Sequence, residues 1–108
     1  MIKTLPQLAQ ALNALYPTQY SHFTNAQNPP FICYLTDEGE SNFYADDDVY
    51  LEGVNVTIEF YTNKKDLSGE NKIKNMLKEN KVQYSKGPTI FIQSEGLFLT
   101  TFSIRLIN

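Results

Sequence analysis

The sequence predicts an α+β fold, a two-layer sandwich in which two helices pack on one face of a mostly antiparallel sheet of four to five strands, in the order α-β-β-α-β-β. Three observations predict it. Residues 5–16 and 67–80 repeat apolar side chains at helical spacing. Residues 54–61 and 97–107 instead alternate with a period of two. Turn formers such as Asn28-Pro29-Pro30 and Ser94-Glu95-Gly96 punctuate the segments between.

Each element has a local reason. Thr4 is placed to cap the first helix, and Leu5-Pro6 opens a first turn in which proline is tolerated because those N–H groups lack helical partners. Leu5, Leu8, Ala9, Leu12, Leu15 and Tyr16 form its stripe, and Pro17 closes it. Turn formers follow, with a short strand at Tyr20–Phe23, before the extended Asn28-Pro29-Pro30 leads into a strand at Phe31–Thr36. Residues 37–42 read as a turn, and Phe43–Ala45 as a short returning arm.

The clearest strand begins near Val49 and carries Val54, Val56, Ile58 and Phe60 on one face. Asp66 or Ser68 caps a second helix that runs to about Asn80, with Ile73, Met76 and Leu77 inward and Glu70 spaced to pair with Lys74. Residues 81–88 return the chain to the sheet, and residues 89–107 form a hairpin about Ser94-Glu95-Gly96. In its last strand Phe98, Thr100, Phe102, Ile104 and Leu106 share one face, while Leu97, Leu99, Thr101, Ser103, Arg105 and Ile107 share the other. The sheet face away from the helices then holds Thr57, Tyr61, Thr101 and either Cys33 or Tyr34. A half-apolar face with free edges suits a covering partner.

A chain of 108 residues reads as one domain, 1–108, and 42% apolar with 19% charged residues is a globular composition. One cysteine, Cys33, cannot form an internal disulfide, which points to a reducing compartment. No run approaches the ~18 apolar residues of a membrane helix, and the first residues lack the apolar block of a signal peptide, so a cytoplasmic, membrane-free protein is expected. Net charge is only −3 but unevenly spread. Residues 37–52 hold seven of the twelve acids and no base, whereas residues 63–86 hold seven lysines against three acids. Such a division argues against specific nucleic-acid binding and suits head-to-tail association of acidic and basic edges.

Catalytic and metal chemistry find little footing. Asp46, Asp47 and Asp48 are adjacent, but a calcium loop opened by Asp46 would need an oxygen ligand at Tyr50 and a glycine at Leu51. Neighbouring residues of an extended segment also point to opposite sides. His22 is the only histidine and reads as a turn residue; Cys33 reads as a buried small hydrophobe. Asn55-Val56-Thr57 spells a glycosylation acceptor but lies within a strand. The five glycines are isolated, so no phosphate-cradling loop exists. No enzyme, cofactor or metal is expected.

One resemblance goes further. The chain has an aromatic-Ala-Asp segment at Phe43–Asp46, then a strand and turn from Tyr50 to Asp66 ending in V-x-I-E-x-Y-T-x-K-K-D. Glu70 with Ile73 on a helix and an I-x-S-E segment at Ile92–Glu95 follow. In this pattern it resembles small proteins from the head-and-tail gene clusters of tailed bacteriophages and of prophages of Gram-positive bacteria, over about residues 31–107. The resemblance implies a tail terminator or tail completion protein: a ring, typically hexameric, that ends tail-tube growth and joins tail to head. It implies partners in the tail tube and head connector, DNA passing through the ring, and residence in the host cytoplasm and then the virion. Candidate residues for the subunit or tail interface, or for the lumen, are Asp46, Asp47, Asp48, Glu52, Tyr61, Lys64, Lys65, Lys74 and Lys78. Another neck component, a small intracellular module binding through its open sheet, and an enzyme subunit completed by a partner remain alternatives.

Overall fold

Residues 2–23, 27–36 and 54–106 are described by a computed structural model. They form α1 (Leu5–Asn13), β1 (Thr18–Tyr20), β2 (Phe31–Thr36), β3 (Val54–Thr62), α2 (Leu67–Glu79), β4 (Tyr84–Ile92) and β5 (Leu97–Leu106). The α+β class is as the sequence predicts, with five strands in the order β1-β2-β3-β5-β4. All pairings are antiparallel except β1 with β2. The element order therefore gains a strand between the helices, α-β-β-β-α-β-β.

Helix α1 starts in a full capping box. The Gln7 N–H donates to Thr4 Oγ1 at 3.3 Å, and Gln7 Oε1 accepts from the Thr4 N–H at 3.2 Å. The helix ends at Asn13, short of the expected Tyr16, and Leu15 and Tyr16 bond back to the Leu12 carbonyl in a closing turn. Asn13 Oδ1 accepts from the Thr18 N–H at 3.1 Å and so fastens the start of β1. That strand lies at Thr18–Tyr20 rather than Tyr20–Phe23, because Ser21 turns the chain with φ of 67°.

Strand β3 puts Val56, Ile58, Phe60 and Thr62 on the buried face, and its ladder to β5 aligns Val56 with Ile104, Ile58 with Phe102 and Phe60 with Thr100. Ile32 of β2 joins them. Leu5, Leu8 and Leu12 from α1, with Ile73, Met76 and Leu77 from α2, complete a single apolar cluster against that one face. Both helices thus lie on the same side of the sheet. Of the two residues offered for the opposite face, Cys33 belongs there, in register with Glu59. Tyr34 does not: it aligns with Ile58 and packs on the core.

Helix α2 is closed by a side chain at its N-terminus and by backbone hydrogen bonds at its C-terminus. Asp66 is the N-cap, its carboxylate accepting from the Gly69 N–H at 3.0 Å. At the other end Lys81 donates to the Lys78 carbonyl and Val82 to the Leu77 carbonyl, with Val82 buried; this is a Schellman motif. Its left-handed residue is Lys81, at φ of 62°, where glycine is the usual choice. Gly69 answers a different need. A Cβ there would stand 2.7 Å from Phe60 Cζ and 2.9 Å from the Tyr16 hydroxyl, so its absence lets the first turn of α2 lie against the sheet.

Two substitutions, one in α2 and one just past its end, should therefore shift stability in opposite directions. In an open helix position glycine to alanine stabilises by about 1 kcal/mol. Gly69→Ala is expected to destabilise by about 1–3 kcal/mol through overpacking on Phe60, which is itself buried. Lys81→Gly is expected to stabilise by roughly 0.5–1 kcal/mol by relieving the left-handed strain, net of chain entropy. Denaturant midpoints at constant m-value check both signs.

Candidate functional site

Among the described residues the helices cover one face of the sheet and no element covers the other, which is unevenly apolar. Register places Phe31, Tyr61, Leu99 and Ile90 in a single row across β2, β3, β5 and β4. Phe31 stacks on Tyr61 with ring centroids 4.9 Å apart, and Phe23 meets the edge of Phe31 at 5.5 Å. Leu97 and Ile92 form the next, shorter row. The far end of the same face is polar: Thr57, Ser103 and Ser85 align, and Arg105 Nη1 donates to Asn55 Oδ1 at 3.0 Å. These residues line a shallow groove of about 420 Å³.

Glu59 sits between the two halves, in register with Cys33 on one side and Thr101 on the other. It accepts a hydrogen bond from the Tyr61 hydroxyl at 3.1 Å. Burial, and then the Glu59 carboxylate, pushes the Cys33 thiol up to about 11. The same two causes, with the hydrogen bond to Glu59, raise the Tyr61 phenol well above its ordinary range. Both groups are thus held neutral and inert.

On the helix side, Glu70 is 4% exposed yet charged-group bearing. Lys86 Nζ stands 3.4 Å from Glu70 Oε1, while the Thr89 and Thr100 hydroxyls each lie 3.4 Å from Oε2 and 2.7 Å from each other, so that one hydroxyl donates to its neighbour and the other to the carboxylate. The ion pair foreseen along the helix to Lys74 is thus made instead to Lys86 on β4. A buried carboxylate needs such partners, since losing water costs more than any single contact returns. The cluster ties the first turn of α2 to β4 and β5.

The sequence-predicted site residues that are described lie on different parts of the fold. Tyr61 lies on the uncovered face, in the apolar row. Lys64 and Lys65 are exposed on the connection from β3 to α2. Lys74 is half-buried and Lys78 exposed on α2, across the sheet from Tyr61. Asp46, Asp47, Asp48 and Glu52, like the arm at Phe43–Ala45, lie outside the described residues. His22 is exposed, its Nδ1 3.2 Å from the Ser21 hydroxyl. No helix among the described residues is long and apolar enough to cross a membrane.

Sequence reasoning missed the end of β4. Ile90 and Phe91 are 51% and 53% exposed and, with Leu67, are the large apolar side chains most open to solvent among the described residues. The signal available was Thr89-Ile90-Phe91-Ile92 itself, an uncharged β-prone run directly after a proline. Comparison with known proteins adds no identity: no family model matches the chain, and a search of curated proteins returns no significant match.

The environment of Cys33 yields a pH dependence. A thiol raised in the folded state contributes stability that is fully present below its unfolded pKa and is lost as pH rises towards the folded value. Stability should therefore fall between about pH 9 and pH 11, more gently in Cys33→Ala, as urea midpoints across that window would register. At pH 8 roughly one folded thiol in a thousand is ionised, so alkylation should be slow until urea is added.

Proposed function

We propose that the protein is a structural component of a phage or prophage tail, a terminator or completion protein whose ring ends tail-tube growth and helps join tail to head. The observation that carries this reading is the pattern from Tyr50 to Asp66, with Glu70, Ile73 and Ile92–Glu95, that resembles such proteins. The fold supports it: a sheet with one face covered by helices and the other bearing Phe31, Tyr61, Leu99 and Ile90 is suited to packing against protein. The role needs no catalytic group, cofactor or metal.

Charge supports a ring in particular. The twelve acids less the seven in residues 37–52 leave five, set against nine bases, so the rest of the chain carries +4. A heterologous ring brings two different surfaces of each copy together, and surfaces of opposite sign suit it. Asp46, Asp47 and Asp48 would face either the neighbouring subunit or a lumen through which DNA slides, where carboxylates discourage phosphate adhesion.

A second reading, a small ligand-binding module, draws on the groove beside Arg105. The two separate in one assay. Purified protein added to polymerising tail-tube protein should cap the tubes at one end and shorten them, as seen by electron microscopy. Changing Asp46, Asp47 and Asp48 together to Asn should abolish assembly or infectivity. Tubes that grow to unlimited length beside an indifferent protein would defeat the terminator reading.

A further inference from the structure

Strand β4 has a neighbour, β5, on one side only, so its outward backbone N–H and C=O groups lack a ladder partner among the described residues. Natural edges are blunted by charge, proline and bulges. Here Lys86, the register shift between Lys86 and Thr89, and Pro88 blunt the first half of the strand and then stop. Thr89–Ile92 has none of these devices. Its two exposed side chains point to opposite faces: Ile90 aligns with Leu99 on the open face, and Phe91 with Phe98 on the helix face, their rings 5.0 Å apart. A helix laid on this edge would cover one face and leave the backbone unpaired. The fitting occupant is an extended strand, apolar on both sides.

We propose that this occupant is the same segment of a second copy, paired antiparallel about a two-fold axis through Phe91. A continuous sheet must set open face beside open face, so opposed residues have to share a face and the two-fold must pass through a residue. Centred on Ile90, the register would oppose Ile92 to Pro88, which has no N–H to give. Centred on Ile92, it would draw Gln93 and Ser94 of the turn into the ladder. Centred on Phe91, it opposes Phe91 to the partner's Phe91 and Ile90 to the partner's Ile92, with Pro88 outside. The charges agree. Lys86, whose Nζ also meets the buried Glu70, precedes the segment and the exposed Glu95 follows it, so antiparallel pairing brings unlike charges together and parallel pairing would bring like ones.

The apolar row would then run from Phe31 through Tyr61, Leu99 and Ile90 to the partner's Ile92 and Leu97. This pairing describes the free protein and does not rest on the tail reading. Tube capping with a protein indifferent to Phe91 defeats the pair alone; a Phe91-dependent dimer that ignores tubes defeats the terminator alone.

The test is light scattering on the full chain from micromolar to hundreds of micromolar, with two variants. Wild type is expected to reach dimer mass, and Phe91→Lys to weaken dimerisation at least tenfold; Phe91 is half-exposed, so the melting temperature should hold within a few degrees. Under mild oxidation Phe91→Cys should cross-link to a covalent dimer, because directly opposed residues lie within disulfide reach. Ile90→Cys, whose own counterpart is displaced diagonally by two residues, should do so much more slowly. Buried Cys33 stays out of both reactions. A wild type that is monomeric throughout, that gains mass only with tail-tube protein, or whose dimer ignores Phe91→Lys overturns the proposal. So does equal cross-linking of both cysteine variants.

Discussion

The ladder between β3 and β5 runs from Val54 opposite Leu106 to Thr62 opposite Phe98 without a bulge, and the rest of the molecule is arranged around it. Side chains alternate across a strand, so a slip of one residue would exchange Val56, Ile58 and Phe60 for Asn55, Thr57 and Glu59 on the helix side. Neither helix could then bury its stripe. Leu5, Leu8 and Leu12, like Ile73, Met76 and Leu77, meet their apolar partners only on this surface. Even Gly69 has its meaning from the register, since the nearest of the atoms that exclude a Cβ there belongs to Phe60. Two short helices of this length would be marginal by themselves, and packing supplies what propensity does not.

The buried face changes character at one end. Phe60 is opposed to Thr100, and Thr62 is buried beyond it, so the apolar floor stops where α2 begins. Glu70 enters there, held by Thr89, Thr100 and Lys86. The consequence for β4 is a division of labour along nine residues. Up to Thr89 the strand is fastened to the helix layer by the polar cluster and shifted in register; from Ile90 onward its strand partner among the described residues is β5. Phe91 and Phe98 pack on each other there, ring centroids 5.0 Å apart, and Phe91 stays half-exposed.

What could be read in the sequence was what local chemistry decides. Thr4 and Asp66 cap as their side chains allow, the period of two in β3 and β5 names the buried face, and Gly96 turns the hairpin with φ of 66°. What could not be read depends on distant register. Phe31–Thr36 has apolar or aromatic groups on both faces, so alternation is silent; only pairing with β3 sends Cys33 to one side and Tyr34 to the other. The i,i+4 rule offers Glu70 the nearby Lys74, while the strand register brings Lys86 of β4 to 3.4 Å. Thr89–Ile92 reads the same whether central or at an edge, and the strand order alone exposes it. The acidic candidates Asp46, Asp47, Asp48 and Glu52 lie outside the described residues.

The two associations proposed differ in symmetry and so cannot use the same surface. A two-fold contact through Phe91 occupies β4 of both copies and closes on itself, whereas a ring needs two unlike surfaces on every copy. The unlike surfaces this chain owns are electrostatic: an acid-rich stretch at 37–52, and exposed lysines such as Lys64, Lys65 and Lys78 elsewhere. Salt should then separate them. At about 1 M the Debye length is roughly 3 Å, which screens contacts between exposed charges but leaves burial of Ile90 and Phe91 intact or slightly favoured. A ring built on charge should dissolve as salt rises while the pair through β4 persists, and sedimentation at 0.05 M and 1 M salt resolves the two. Larger assemblies that survive 1 M salt would mean that the apolar row of the open face, rather than the charge division, holds the ring together.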